Sequence, residues 1–144
     1  MSKFFIIDTN VVVAGLLTSR SDSPVAQILD GMLAAAFAFV VSEALLSEYR
    51  AVLLRPKLAR LHGLTADEVD SLLTDIARHA IVLVPSSGPS GGPIAPDLGD
   101  QLLWNLLATR DDLVLVTGDK LLLGDRAMQD RIIQPRTLMA CLTH

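Results

Sequence analysis

Phe4-Phe5-Ile6-Ile7-Asp8-Thr9-Asn10 is the stretch on which the fold turns. Four apolar residues in a row, with no polar residue alternating among them, describe a strand covered on both faces. Such a strand belongs at the centre of a sheet. The run stops at Asp8. Working outward, Phe37-Ala38-Phe39-Val40-Val41, Ile81-Val82-Leu83-Val84 and Leu113-Val114-Leu115-Val116-Thr117 repeat the pattern, and Arg131-Ile132-Ile133 is a candidate short fifth strand.

Helix signals fall between these runs. Ser23-Pro24 reads as an N-cap followed by proline at the first helical position, opening a helix towards Ala36. Ser42 caps a helix from Glu43 to about Leu54, and Pro56 keeps it from continuing. Thr65-Ala66-Asp67-Glu68 has capping-box spacing, and the helix it starts carries Val69, Leu72, Leu73, Ile76 and Ala80 on one face. Helix is expected again from around Leu98 to Arg110, and from Pro135 through Leu138, Met139 and Leu142. Residues 85–96, rich in Ser, Gly and Pro, read as loop. Strands alternating with helices call for a parallel sheet of four to five strands joined by right-handed crossovers. The expected architecture is one α/β sandwich spanning residues 1–144.

The bulk numbers agree. At 51% hydrophobic but 4% aromatic, the core must be aliphatic, as suits a sheet covered by helices. The lone Cys141 cannot form an intrachain disulfide. No signal peptide is evident, and no apolar run approaches the roughly 20 residues of a membrane span, so a cytoplasmic protein is the plain reading. A net charge of −4 argues against a broad basic footprint for duplex DNA. The mean hydropathy of +0.46 suggests apolar surface left for a second copy or a partner. The expected surfaces are the Val69–Ala80 helix and the Leu138–Leu142 helix.

Ligands of open parallel sheets bind beyond the carboxyl ends of the strands, near the switch in strand order. Asp8 stands directly after the first strand and Asp119 two residues after the fourth. Glu48 lies on the second turn of the helix leaving the second strand. Asp97 and Asp100 start the helix that feeds the fourth strand, and reach the same edge if the preceding loop returns there. Converging carboxylates repel one another unless a cation intervenes. Oxygen ligands favour Mg²⁺ or Mn²⁺, and a metal held there supports in-line phosphoryl displacement. His62, His79 and His144 are scattered, so nothing favours zinc.

Taken singly, each acid has a plainer account. Asp8 and Asp97 can cap the helices that follow them, Asp119 can be a turn residue, and Asp100 can favour a positive helix end. Glu48 can be a solvated helix residue, with Glu43 competing for its role. Arg50, Arg55, Lys57 and Arg60 read as solvated helix faces, although Arg55 or Lys120 can meet phosphate at the rim of a site. The placement of the acids relative to the strands is what favours a site.

Four segments together resemble the PIN-domain nucleases, most of all their bacterial, toxin-like branch, over nearly the whole chain. They are Ile6-Ile7-Asp8-Thr9-Asn10-Val11, Val41-Ser42-Glu43-Ala44-Leu45-Leu46-Ser47-Glu48-Tyr49, Pro96-Asp97-Leu98-Gly99-Asp100-Gln101 and Val116-Thr117-Gly118-Asp119-Lys120. The resemblance implies a three-layer α/β/α sandwich and Mg²⁺- or Mn²⁺-dependent cleavage of RNA. It assigns Asp8, Glu48, Asp100 and Asp119 as the catalytic, metal-holding acids, with Asp97 as a further candidate and Asn10 and Thr117 as supporting residues. It also implies an antitoxin protein as a partner and a homodimer. Relatives often carry further acids where this chain has Gly99 and Leu121, a departure that leaves the quartet intact.

Two other readings compete. An aspartyl-phosphate enzyme would use Asp8 as nucleophile, but Asn10 stands where such phosphatases carry a second acid, and Glu48 and Asp100 go unexplained. A degenerate PIN domain would bind RNA or a protein without cutting. The intact quartet counts against it.

Overall fold

A computed structural model describes residues 3–85, 101–126 and 128–142. Its strands are β1 (Phe4–Ile7), β2 (Phe39–Val41), β3 (Ile81–Val82), β4 (Leu113–Val116) and β5 (Ile132–Ile133), all parallel, in the order β3-β2-β1-β4-β5. The uninterrupted apolar run at Phe4 is therefore the middle strand. Ile6 pairs with Val40 on one side and Leu115 on the other, and all three are fully buried.

Helices cover the sheet: α1 (Thr9–Leu17), α2 (Pro24–Ala34), α3 (Glu43–Leu53), α4 (Pro56–His62), α5 (Ala66–His79), α6 (Gln101–Leu107), α7 (Lys120–Leu123) and α8 (Pro135–Leu142). The result is a three-layer α/β/α sandwich. The chain steps outward from β1 through β2 to β3, then crosses back to β4 on the other side of β1. The switch in strand order thus lies between β1 and β4, and their carboxyl ends are followed by Asp8 and Asp119.

Side-chain caps fix where the helices begin. Ser23, Ser42 and Thr65 each accept a backbone N–H from three residues on, and Glu68 returns the bond to the Thr65 N–H. α1 and α2 pack closely because Gly15 lacks a side chain; a Cβ there would stand 2.5 Å from the Val25 carbonyl oxygen.

Several elements differ from the sequence reading. Phe37 and Ala38 precede β2, although the Ala38 carbonyl accepts the Phe5 N–H at 3.2 Å and the Phe37 ring packs edge-on to Phe5, 6.1 Å between centroids. β3 is a two-residue edge strand with both side chains exposed. Pro56 stops α3 but also sits at the first position of α4. The proposed start of α6 around Leu98 lies outside the described residues, and that helix ends at Leu107, before Arg110.

The apolar faces expected to meet a second copy are largely used inside the chain. Val69, Leu73 and Ile76 of α5 and Leu138 of α8 are buried in the core, Leu72, Ala80 and Met139 are partly buried, and Leu142 stays exposed. Among the described residues, no helix is long and apolar enough to cross a membrane.

Candidate active site

Asp8 is placed by the last rung of the central ladder. Its N–H donates to the Val116 carbonyl at 2.9 Å, so its carboxylate leaves the sheet at the carboxyl edge. There it caps α1, Oδ1 accepting the Thr9 N–H at 2.7 Å. Capping does not exhaust the group. Oδ2 accepts the Thr117 hydroxyl at 2.7 Å and the Asn10 amide at 3.3 Å.

Thr117, fully buried, is the centre of this network. Its hydroxyl donates to Asp8 and accepts from the Asp119 N–H at 3.0 Å and the Asn10 amide at 3.3 Å. One donor and two lone pairs are all a hydroxyl has. The Asn10 side-chain oxygen accepts the Gly118 N–H at 3.3 Å, closing the join between the ends of β1 and β4. Asp119 caps α7, its Oδ1 accepting the Leu121 N–H at 2.9 Å.

The third acid comes from α3. Glu48 is half-buried, and its Oε2 accepts the Thr9 hydroxyl at 2.5 Å. Beside it, the buried Tyr49 hydroxyl donates to the Ile7 carbonyl, tying α3 to the end of β1. Burial first, then the charges of Asp8 and Glu48, push the Tyr49 phenol well above its ordinary range. Folding therefore favours the neutral phenol. This stabilisation is whole below the unfolded phenol's pKa of about 10 and is lost as pH rises beyond it. Tyr49→Phe should cost about 1 kcal/mol near neutrality, for the lost hydrogen bond. Above pH 10 its urea midpoint should fall less steeply than that of the unaltered protein. Parallel pH profiles would contradict this account of Tyr49.

Asp8, Glu48 and Asp119, with Thr9 and Asn10, line one cavity of about 530 Å³. Glu43 is exposed on the first turn of α3 and takes no part in its wall. Asp97 and Asp100 lie outside the described residues. Thr9 is the residue the sequence reading passed over. It is separated from Glu48 by 39 positions, and no local spacing announces their contact.

The polar groups on the cavity wall are, among the described residues, three carboxylates, a hydroxyl, an amide and the Arg55 guanidinium, with no imidazole or thiolate, so the groups able to ligate a metal are oxygens. That donor set fits a hard divalent cation. Among the described residues, no three acids, histidines or cysteines are grouped closely enough to cage an ion directly. A wall of spaced carboxylates around a cavity of this size suits Mg²⁺, which keeps several of its waters. His62 is not available to a metal site. Its ring bridges the Leu53 carbonyl at 2.8 Å and the Leu64 N–H at 2.9 Å.

The comparison with protein families matches residues 5–121 to the PIN domain, a span that contains both strand ends and all the acids discussed. The chain belongs to the PIN-domain family. No curated protein matches it. The PIN domain is generally a nuclease fold. In this PIN domain the Asp-Thr-Asn segment that opens α1 and the Thr-Gly-Asp segment after β4 are one hydrogen-bonded unit, built around Thr117 and Asn10.

Proposed function

We propose that this PIN domain is a Mg²⁺- or Mn²⁺-dependent endoribonuclease. Asp8, Glu48 and Asp119 would hold the metal, with Asp100, which the family resemblance assigns to the same site, as the fourth acid. The observation that carries the reading is that three acids from three separate elements line one cavity at the switch in strand order.

The chain's own residues prepare the site for charge. Asp8 receives donors from Thr9, Asn10 and Thr117, so its orientation is set before a substrate arrives. Asp8 and Asp119 stand at the ends of paired strands, which place groups more exactly than free loops. Thr9 both shows its N–H to Asp8 and its hydroxyl to Glu48, coupling the two acids through one residue. A bound Mg²⁺ or Mn²⁺ would activate water and offset the charge that develops on the phosphate.

The test is incubation with a mixed RNA pool, with and without Mn²⁺, followed by mapping of the cut ends. Internal cuts that require the metal and disappear in EDTA are expected. An intact pool, in the presence of folded protein and either metal, would overturn the reading in favour of a PIN domain that binds without cutting.

A further inference from the structure

The cavity that holds the acids continues beyond them. On α1 its wall is Asn10, Val13, Ala14 and Leu17, one helical stripe at spacings of three, four and seven. Opposite run Glu48, Val52 and Arg55, again at four and seven, along α3 and just past its end. The cavity therefore has a polarity. Carboxylates stand at the sheet edge, and Arg55 follows Glu48 by about two helical turns, roughly 10 Å of rise, just past the end of α3. Val13, Ala14, Leu17 and Val52, all half-buried, supply the apolar part of the same wall.

Arg55 is the one cation in this wall among the described residues, and it forms no ion pair with any described carboxylate. Arg50 and Arg110 behave differently, holding Asp70 at 2.7 Å and Asp112 at 2.6 Å. The Arg55 backbone is nevertheless fixed. Its N–H donates to the Val52 carbonyl at 3.1 Å and its carbonyl accepts the Ala59 N–H at 2.8 Å. The contact of His62 with the Leu53 carbonyl clips α4 to the end of α3. A fixed stem carrying an uncommitted guanidinium is suited to an anion brought from outside.

Resting on the nuclease reading, we infer that Arg55 and this apolar stripe form a nucleotide subsite beside the acids. The guanidinium binds a phosphate neighbouring the one that is cut, a role its forked donors suit. The stripe seats the intervening base by its apolar face. Its side chains are aliphatic and offer no donor or acceptor to a base edge, so the subsite tolerates any base but not the absence of one. Arg55 is on this account a positioning residue.

The experiment combines cleavage kinetics of a short fluorescent RNA in Mn²⁺ with anisotropy binding of that RNA to an Asp119→Asn protein. Arg55→Gln, checked for folding by thermal melt, should lower kcat/KM about tenfold, carried by KM. The slope of log KM against log salt should shrink by about 0.7, the share of one phosphate contact on a single strand. Arg55→Lys should restore the slope but only part of the affinity. Abasic substitutions scanned along the RNA should weaken binding at one position, whereas base exchanges there should not. Unchanged KM and salt slope in Arg55→Gln, with cleavage otherwise normal, would overturn the subsite and leave the nuclease reading standing. RNA that binds through Arg55 without being cut would overturn the nuclease reading instead. Protein that neither binds nor cuts RNA would overturn both.

Discussion

Asp119→Asn is expected to lower metal-dependent RNA cleavage more than about 100-fold, the upper end of what losing even an outer-shell partner of a metal costs. Stability should stay within about 0.5 kcal/mol, because asparagine caps a helix as well as aspartate and its amide oxygen can still accept the Leu121 N–H. Asp8→Asn should lose as much activity but behave differently as a folded protein. Both Asp8 oxygens accept protein donors, so a new amide N–H must face the Thr9 N–H, or the Thr117 hydroxyl and Asn10 amide. Leaving such buried groups unmatched costs about 1–3 kcal/mol. Cleavage rates and urea midpoints of the two variants check the pair. If Asp8→Asn turns over RNA at the unaltered rate, the site is misassigned.

Glu48 and Glu43 give the second contrast. They lie on the same helix, five positions apart in sequence, and composition alone cannot choose between them. Glu48 faces the acid-lined cavity and accepts the Thr9 hydroxyl, whereas Glu43 is exposed on the first turn of α3. Glu48→Gln removes a charge where the metal would sit and should reduce cleavage at least about tenfold, even if only an outer-shell role is lost. Glu43→Gln gives up a favourable charge at a helix N-terminus, worth about 0.3–1 kcal/mol, and should leave cleavage unchanged. Single-turnover rates at fixed Mn²⁺, with circular dichroism as the control for folding, decide it. A larger loss from Glu43→Gln would reverse the assignment.

The positions of Asp8 and Asp119 were legible in the sequence because strand ends are legible. An unbroken apolar run such as Phe4–Ile7 marks a buried strand, and the first polar residue after it lies at the sheet's edge. The caps at Ser23, Ser42 and Thr65 follow equally from residue type and spacing. Helix α1 was legible only at its cap, Asp8. Thr9-Asn10-Val11-Val12-Val13 is mostly β-branched and the helix is apolar nearly all round, so no contrast of polar and apolar faces marks its extent, and burial against α2 and α3 overrides its propensity. That gap also hid the cavity, one wall of which is α1. β3 was overread, since the apolar run Ile81–Val84 suggested burial where the structure has an exposed edge. Thr9 escaped notice as the partner of Glu48 because side-chain hydrogen bonds between distant elements leave no local trace.

The central claim is that Asp8, Glu48 and Asp119 bind a divalent cation together, and titration of Mn²⁺ into the metal-free protein, with thermal melts in Mn²⁺ and in EDTA, tests it most directly. Calorimetric binding to the unaltered protein is expected, weakened at least about tenfold by Asp119→Asn. The metal should stabilise the fold by about 2.7 kcal/mol at a hundredfold excess over its Kd. Superimposable melts, with no heat of binding, would contradict the account.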